Sequence, residues 1–151
     1  MAIEARLRAN PHFATLSDGD VEALVSAMLV RDYEAGHVLV REGARGDDVH
    51  LLVSGEVSVT RLRAGTTHEL NRMCAGDLFG LVSLVDDAPR SATCTTAGKC
   101  TVASLPRSAL LLLMNQQADL AYAFQHALGA QLARDFRNLS QRIRQQLVAQ
   151  K

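Results

Sequence analysis

The stretch Gly76–Thr93, GDLFGLVSLVDDAPRSAT, sets an aromatic residue between glycines, follows it with a short apolar turn and two adjacent acids, and closes on Pro-Arg-Ser-Ala-Thr. A small domain binds an anion best with backbone N–H groups at the start of a short helix, where unpaired donors and the helix dipole act together. Phe79–Leu84 can form such a turn. Gly80 lets the main chain approach a ligand with no side chain in the way, and Arg90, returning from the next strand, offers a bidentate charge pair. Ser91 adds a hydroxyl beside it. A plainer account of the same residues also stands: Arg90 pairs with Asp86 or Asp87 at the surface, and the glycines only make turns.

Outward from this loop the chain changes period twice. LSDGDVEALVSAML opens with Ser17 and Asp18 as cap candidates and carries Val21, Leu24, Val25 and Met28 at helical spacing. From Arg31, short stretches rich in valine and leucine alternate with turns at Gly36, Gly43, Gly46, Gly55, Gly65 and Gly76, which predicts a compact antiparallel barrel or jelly roll. In EVSVTRL, Val57, Val59 and Leu62 nearly hold one face. Beta structure resumes at SATCTTAGKCTVASL, with Ala97-Gly98 read as the turn of a hairpin. Pro106 suits a first helical turn, an element follows to about Asn115, and a long helix starts near Ala118. Leu120, Phe124, Leu128, Leu132, Phe136, Leu139, Ile143 and Leu147 form an apolar stripe along it. Its first half is expected to pack on the barrel. Its second half extends past anything a domain this small can cover, so a matching helix from a second copy is its simplest use.

The 151 residues are expected to form one domain, with helices over 1–30, the roll over 31–105 (the anion loop at 76–93) and C-terminal helices over 106–151. Sixteen basic residues balance sixteen acidic ones, so no global field holds a polyanion. From Pro106 onward six basic residues face two acids, a net of plus four, which suits a solvated face or an acidic docking partner. Cys74, Cys94 and Cys100 have neither disulfide nor zinc spacing, which fits a reducing cytoplasm. The charged N-terminus lacks a signal core, and the longest apolar run, Ala109–Met114, is too short for a bilayer. No metal site is expected: His50, His68 and Glu69 lack the His-x-His spacing of roll-shaped metal enzymes, and His50 and His68 fall on different strands.

Taken in order, Tyr33 with Gly36, Gly43, VHLLVSGEVSV around Gly55, and the opening stretch resemble the cyclic-nucleotide-binding domain family over nearly the whole chain. The resemblance implies a mainly β fold, an eight-stranded antiparallel jelly roll (a double-stranded β-helix) with N-terminal helices and a long C-terminal helix. Its phosphate-binding cassette reads Phe-Gly-Glu, an apolar and small pair, Leu, then Arg-x-Ala-Thr. By this likeness Arg90 meets the cyclic phosphate, helped by Ser91 and by main-chain amides near Leu81, Val82 and Ser83, with Phe79, Gly80 and Ala92 completing the ligand site. Leu81 stands where the family's glutamate accepts from the ribose 2'-hydroxyl. A hydroxyl buried against leucine goes unsatisfied, at a cost of about 1–3 kcal/mol, or about ten- to a hundredfold in affinity. The family's lid residue on the long helix maps between Arg134 and Asn138. There Phe136 can stack on a base or serve core or dimer packing, and Asp135 or Asn138 can reach the base edge.

The sequence thus predicts a non-enzymatic, cytoplasmic sensor that takes a cyclic nucleotide (cyclic AMP or cyclic GMP) or a similar small anion as ligand. It is expected to signal through the C-terminal helix as a homodimer or to a protein partner, with no direct DNA binding and no membrane. The competing expectation is a degenerate domain of the same shape that binds no nucleotide and serves as a dimerisation or docking module.

Overall fold

The computed structural model describes residues 2–80 and 89–149, apart from the side chains at positions 2, 135, 138 and 139. Among the described residues, helices α1 (Ala2–Ala9) and α2 (Asp18–Ser26) precede eight strands. These are β1 (Leu29–Tyr33), β2 (Val38–Val40), β3 (Asp48–Ser54), β4 (Val57–Arg63), β5 (Thr66–Met73), β6 (Leu78–Phe79), β7 (Thr93–Thr96) and β8 (Cys100–Pro106). Helices α3 (Arg107–Gln116) and α4 (Ala118–Ala149) close the chain. The strands form two antiparallel four-stranded sheets, ordered β1-β8-β3-β6 and β2-β7-β4-β5, the jelly roll the sequence predicts.

The run VHLLV in β3 is continuously buried because both of its faces are covered. Val49, Leu51 and Val53 point to a core shared with Leu7, Phe13, Leu24, Leu110, Leu120 and Phe124 of the helical layer. Leu52 points the other way, to a core between the sheets that holds Val57, Phe79, Cys94 and Val102. The first sheet is therefore the middle layer of three, with helices on one side and the second sheet on the other. Ser17 caps α2 as expected, its Oγ accepting from the Asp20 N–H at 3.1 Å.

Three local expectations differ from the structure. Ala97 and Gly98 do not turn a hairpin: β7 pairs with β2 and β4 while β8 pairs with β1 and β3, so the chain crosses here from one sheet to the other. The sequence signal of a turn between two strands is the same in both cases. Pro106 is the N-cap residue of α3, one position before the first turn. Leu62 leaves the Val57 face and is exposed, because the register slip opposite Val59 and Thr60 places the extra residue on β5 and leaves β4 in strict alternation.

The stripe on α4 divides where the helix outruns the roll. Leu120 and Phe124 are buried and Leu128 is partly so, whereas Leu132, Phe136, Ile143 and Leu147 are exposed. Phe13 meets Phe124 edge-on with ring centroids 5.1 Å apart, tying the N-terminal segment to α4. Truncating Phe13 to Ala is expected to cost about 3–5 kcal/mol in urea unfolding. Phe136→Ala, at an exposed position, is expected to stay within about 0.5 kcal/mol.

Candidate functional site

The mouth of the roll is organised around Arg90, whose side chain is only 6% exposed. Its main chain is clamped to the β2–β3 turn: the Arg90 N–H donates to the Ala44 carbonyl at 2.9 Å, and the Gly43 N–H donates to the Arg90 carbonyl at 2.8 Å. The guanidinium turns inward. Nη1 donates to the Gly80 carbonyl at 3.1 Å and Nη2 to the Asp48 carbonyl at 2.8 Å. Two glycines make this possible. A Cβ at Gly46 would lie 1.6 Å from Arg90 Nε, so the guanidinium lies directly over a backbone that only glycine leaves bare. At Gly80, φ is +91° and a Cβ would meet Arg90 Nη1 at 2.6 Å and the Asp48 carbonyl at 2.7 Å.

Burial pulls the Arg90 pKa below the usual guanidinium range, and Asp48, Cys94 and Asp47 partly oppose it. An arginine stays charged through such shifts, so the site holds a fixed, largely desolvated cation. His50 lies beside it, its Nδ1 2.7 Å from Ser104 Oγ and its ring 4.9 Å from that of Phe79. Burial first, and the Arg90 charge second, push its pKa down to about 4. The neighbouring imidazole is therefore neutral near pH 7 and competes for no anion.

The structure brings Gly80 and Arg90 together and places Phe79, buried, in the wall behind them. Ala92 is partly buried. Ser91 is exposed, and its carbonyl accepts from Arg61 Nε at 2.9 Å, which brings a second guanidinium to this rim. Leu81, Val82 and Ser83 lie outside the described residues, as do Asp86 and Asp87 and the side chains of Asp135 and Asn138. Phe136 stands 70% exposed on α4, and no hydrogen bond or ring contact among the described residues joins it to Arg90. Sequence reasoning passed over Asp48, Gly46 and Arg61. Asp48 acts through its carbonyl, which no side-chain motif signals, and Gly46 looked like one turn glycine among several. Among the described residues no group of three or more His, Cys, Asp or Glu side chains is placed to hold a metal ion. No described helix is long and apolar enough to cross a membrane.

A two-sheet roll with a buried arginine at its mouth and a long helix at its back is the architecture of the cyclic nucleotide-binding fold. The chain belongs to the cyclic nucleotide-binding domain family, whose description, "Cyclic nucleotide-binding domain", matches residues 30–117. It is 35% identical over 114 residues to a cAMP-dependent protein kinase regulatory subunit of Eremothecium gossypii, covering 76% of this chain and 24% of that protein. To a CRP-like cAMP-activated global transcriptional regulator of Mycobacterium tuberculosis it is 27% identical over 129 residues, covering 85% of this chain and 58% of that one. The chain thus spans about a quarter of the first relative and just over half of the second. Among solved structures, a cyclic nucleotide-binding domain from Methylobacillus flagellatus superposes with a TM-score of 0.81 at 28% identity, over 94% of this chain and 80% of that one. The regulatory domain of Toxoplasma gondii protein kinase A with cAMP gives 0.69 at 30% identity, over 74% and 43%.

Because the unfolded His50 takes up a proton near 6.5 and the folded one only near 4, its neutral burial contributes stability in full above about pH 6.5. That contribution is lost as pH falls through this window to about 4. Ring resonances of His50 should titrate near 4, and the stability of the parent should decline across the same interval.

Proposed function

We propose that the domain is a non-enzymatic sensor that binds a cyclic nucleotide through Arg90 and passes the event to α4. The observation that carries this reading is the buried guanidinium, held by the Gly80 and Asp48 carbonyls over the bare backbone of Gly46. An anion arriving there meets a cation that is already oriented and poorly solvated, so charge-assisted hydrogen bonds form with little reorganisation. Cyclic AMP is the favoured ligand, since the kinase regulatory subunits and the CRP-like regulator similar to this chain carry that nucleotide in their names. Cyclic GMP and other small anions are the alternatives. Leu81 withdraws the ribose acceptor, so affinity rests on phosphate and base contacts, with Phe79, Gly80, Val82, Ser83, Ser91 and Ala92 around the phosphate and Phe136 as the lid that closes on the base. The domain performs no covalent chemistry, and its three free cysteines, Cys74, Cys94 and Cys100, suit the cytoplasm.

A chain of packed side chains supports transmission to α4. His50 faces the site from β3, and its neighbours Val49 and Leu51 face the core that contains Leu120, Phe124 and Ala127. The exposed Leu132, Ile143 and Leu147 on α4 support homodimerisation through that helix, with a protein partner as a second reader of its position. The chain is proposed to make no direct contact with DNA.

Titration calorimetry with cyclic AMP and cyclic GMP is expected to give saturable binding to the parent. Arg90→Lys, which loses the fork geometry, should weaken it about ten- to a hundredfold. Leu81→Glu, which restores an acceptor, should strengthen it about ten- to a hundredfold. Binding by Leu81→Glu alone, with none by the parent, would instead support the docking-module reading. In sedimentation equilibrium, Ile143→Asp should dissociate the dimer, because a carboxylate buried in an apolar helix seam is unpaired.

A further inference from the structure

On the helical side of the molecule a cleft of about 270 Å³ opens between three segments. The connector after α1 contributes Asn10 and His12, the β5–β6 turn contributes Gly76 and Asp77, and α4 contributes Gln131 and Arg134. Neither Arg90 nor Gly80 lines it. Its size lies just below the roughly 300–1,000 Å³ typical of sites for drug-sized ligands, which limits an occupant to a small molecule.

Basic groups gather at the α4 side of this cleft. The rings of His12 and His126 stand 6.1 Å apart, and Arg134 is near enough that both His126 and Arg134 act on His12 as like charges. Tyr122 lies 4.6 Å from the far side of this pair, against His126. The acid in the lining is already engaged: Asp77 Oδ2 accepts from the Cys74 N–H at 2.9 Å and from its thiol at 3.7 Å. None of the ion pairs among the described residues involves His12, His126 or Arg134. Two basic groups, Arg134 and His12, therefore line the cleft, with His126 behind His12 and the engaged Asp77 as the one acid in the lining.

We propose that this cleft is a second ligand site, separate from Arg90, for a small polyvalent anion bearing phosphate or carboxylate groups, held by Arg134 and His12. Such an anion offsets the repulsion between Arg134 and a protonated His12 and gains their hydrogen bonds. Its donors come from the α1–α2 connector and from α4, so a bound anion ties the long helix to the base of the roll and favours one placement of that helix. Binding is also linked to protons. Burial, with His126 and Arg134, lowers the His12 pKa in the free protein, and an anion favours the imidazolium. Affinity therefore rises as pH falls through the histidine range. The groups facing His12 are His126 and Arg134 on α4, which reinforce the attraction for an anion, and Asp77 on the β5–β6 turn, which opposes it.

The test is calorimetry on the full chain at low salt with inorganic pyrophosphate and with citrate, at about pH 6 and about pH 8. Saturable binding of at least one probe is expected, about tenfold tighter at the lower pH. Arg134→Gln, at an exposed position that leaves folding intact, should weaken it about tenfold or more, and His12→Asn should remove the pH dependence. Arg90→Lys should leave it unchanged, so failure here is distinguishable from failure of nucleotide binding at the roll mouth. Preference for pyrophosphate assigns phosphate chemistry to the site, and preference for citrate assigns carboxylate chemistry. The proposal is overturned if neither probe saturates at either pH, if Arg134→Gln binds like the parent, or if Arg90→Lys abolishes the response, which would place the anion at the mouth of the roll.

Discussion

An ion taken out of water costs several kcal/mol unless hydrogen bonds and nearby dipoles replace its hydration, and Arg90 carries its charge into the wall of the roll. The carbonyls of Gly80 and Asp48 answer that demand, and the backbone at Gly46 provides the floor. Gly46 and Asp48 lie in one segment, more than thirty residues before Gly80 and more than forty before Arg90. These segments converge only because β6 adds to the edge of β3 and the residues before β7 are clamped to the β2–β3 turn. Much of the roll's connectivity can be understood as the means of holding one guanidinium in place without neutralising it. Carbonyl dipoles orient the cation and leave its net charge available to an anion, whereas a carboxylate in their place would cancel it.

The middle sheet gives this arrangement its reach. Its central strands, β3 and β8, are buried on both faces, so a residue facing the site and a residue facing the helices are often sequence neighbours on the same strand. His50 touches Phe79 and Ser104 on one side, while Val49 and Leu51 press on the helical core on the other. Close-packed interiors respond to displacement by repacking in steps, which suits the proposed output, the placement of one helix. α4 is held to the body over its first turns and merely grazed beyond them, where Arg142 Nη2 donates to the Leu70 carbonyl at 3.4 Å. Its anchorage therefore depends on a limited contact area, near which His12, His126 and Arg134 gather.

The family to which the chain belongs was legible because its cues are local and ordered. A positive φ at Gly36, Gly43, Gly55, Gly76 and Gly80 reflects turns that side-chain-bearing residues rarely make, and such residues announce themselves without knowledge of the fold. The cap at Ser17, the boundaries of α3 and α4, and the β periodicity between them have the same origin in short-range sterics and hydrogen bonding. The candidate site was legible in its side chains and obscure in its backbone: Arg90 and Gly80 stand in a recognisable pattern, while Asp48 contributes only a carbonyl.

By itself, then, the amino-acid order determined the alternation of strand and turn and the helices, since each follows from interactions within a few residues. Which sheet each strand joins, that Arg90 faces inward, and where the stripe on α4 passes from core to solvent were decided only in three dimensions. Ala97 and Gly98 illustrate the division, because the same turn chemistry serves a hairpin or a crossover between sheets. The choice rests on which pairing buries Cys94 and Val102 between the sheets, a property of the packed molecule that no short window of sequence contains.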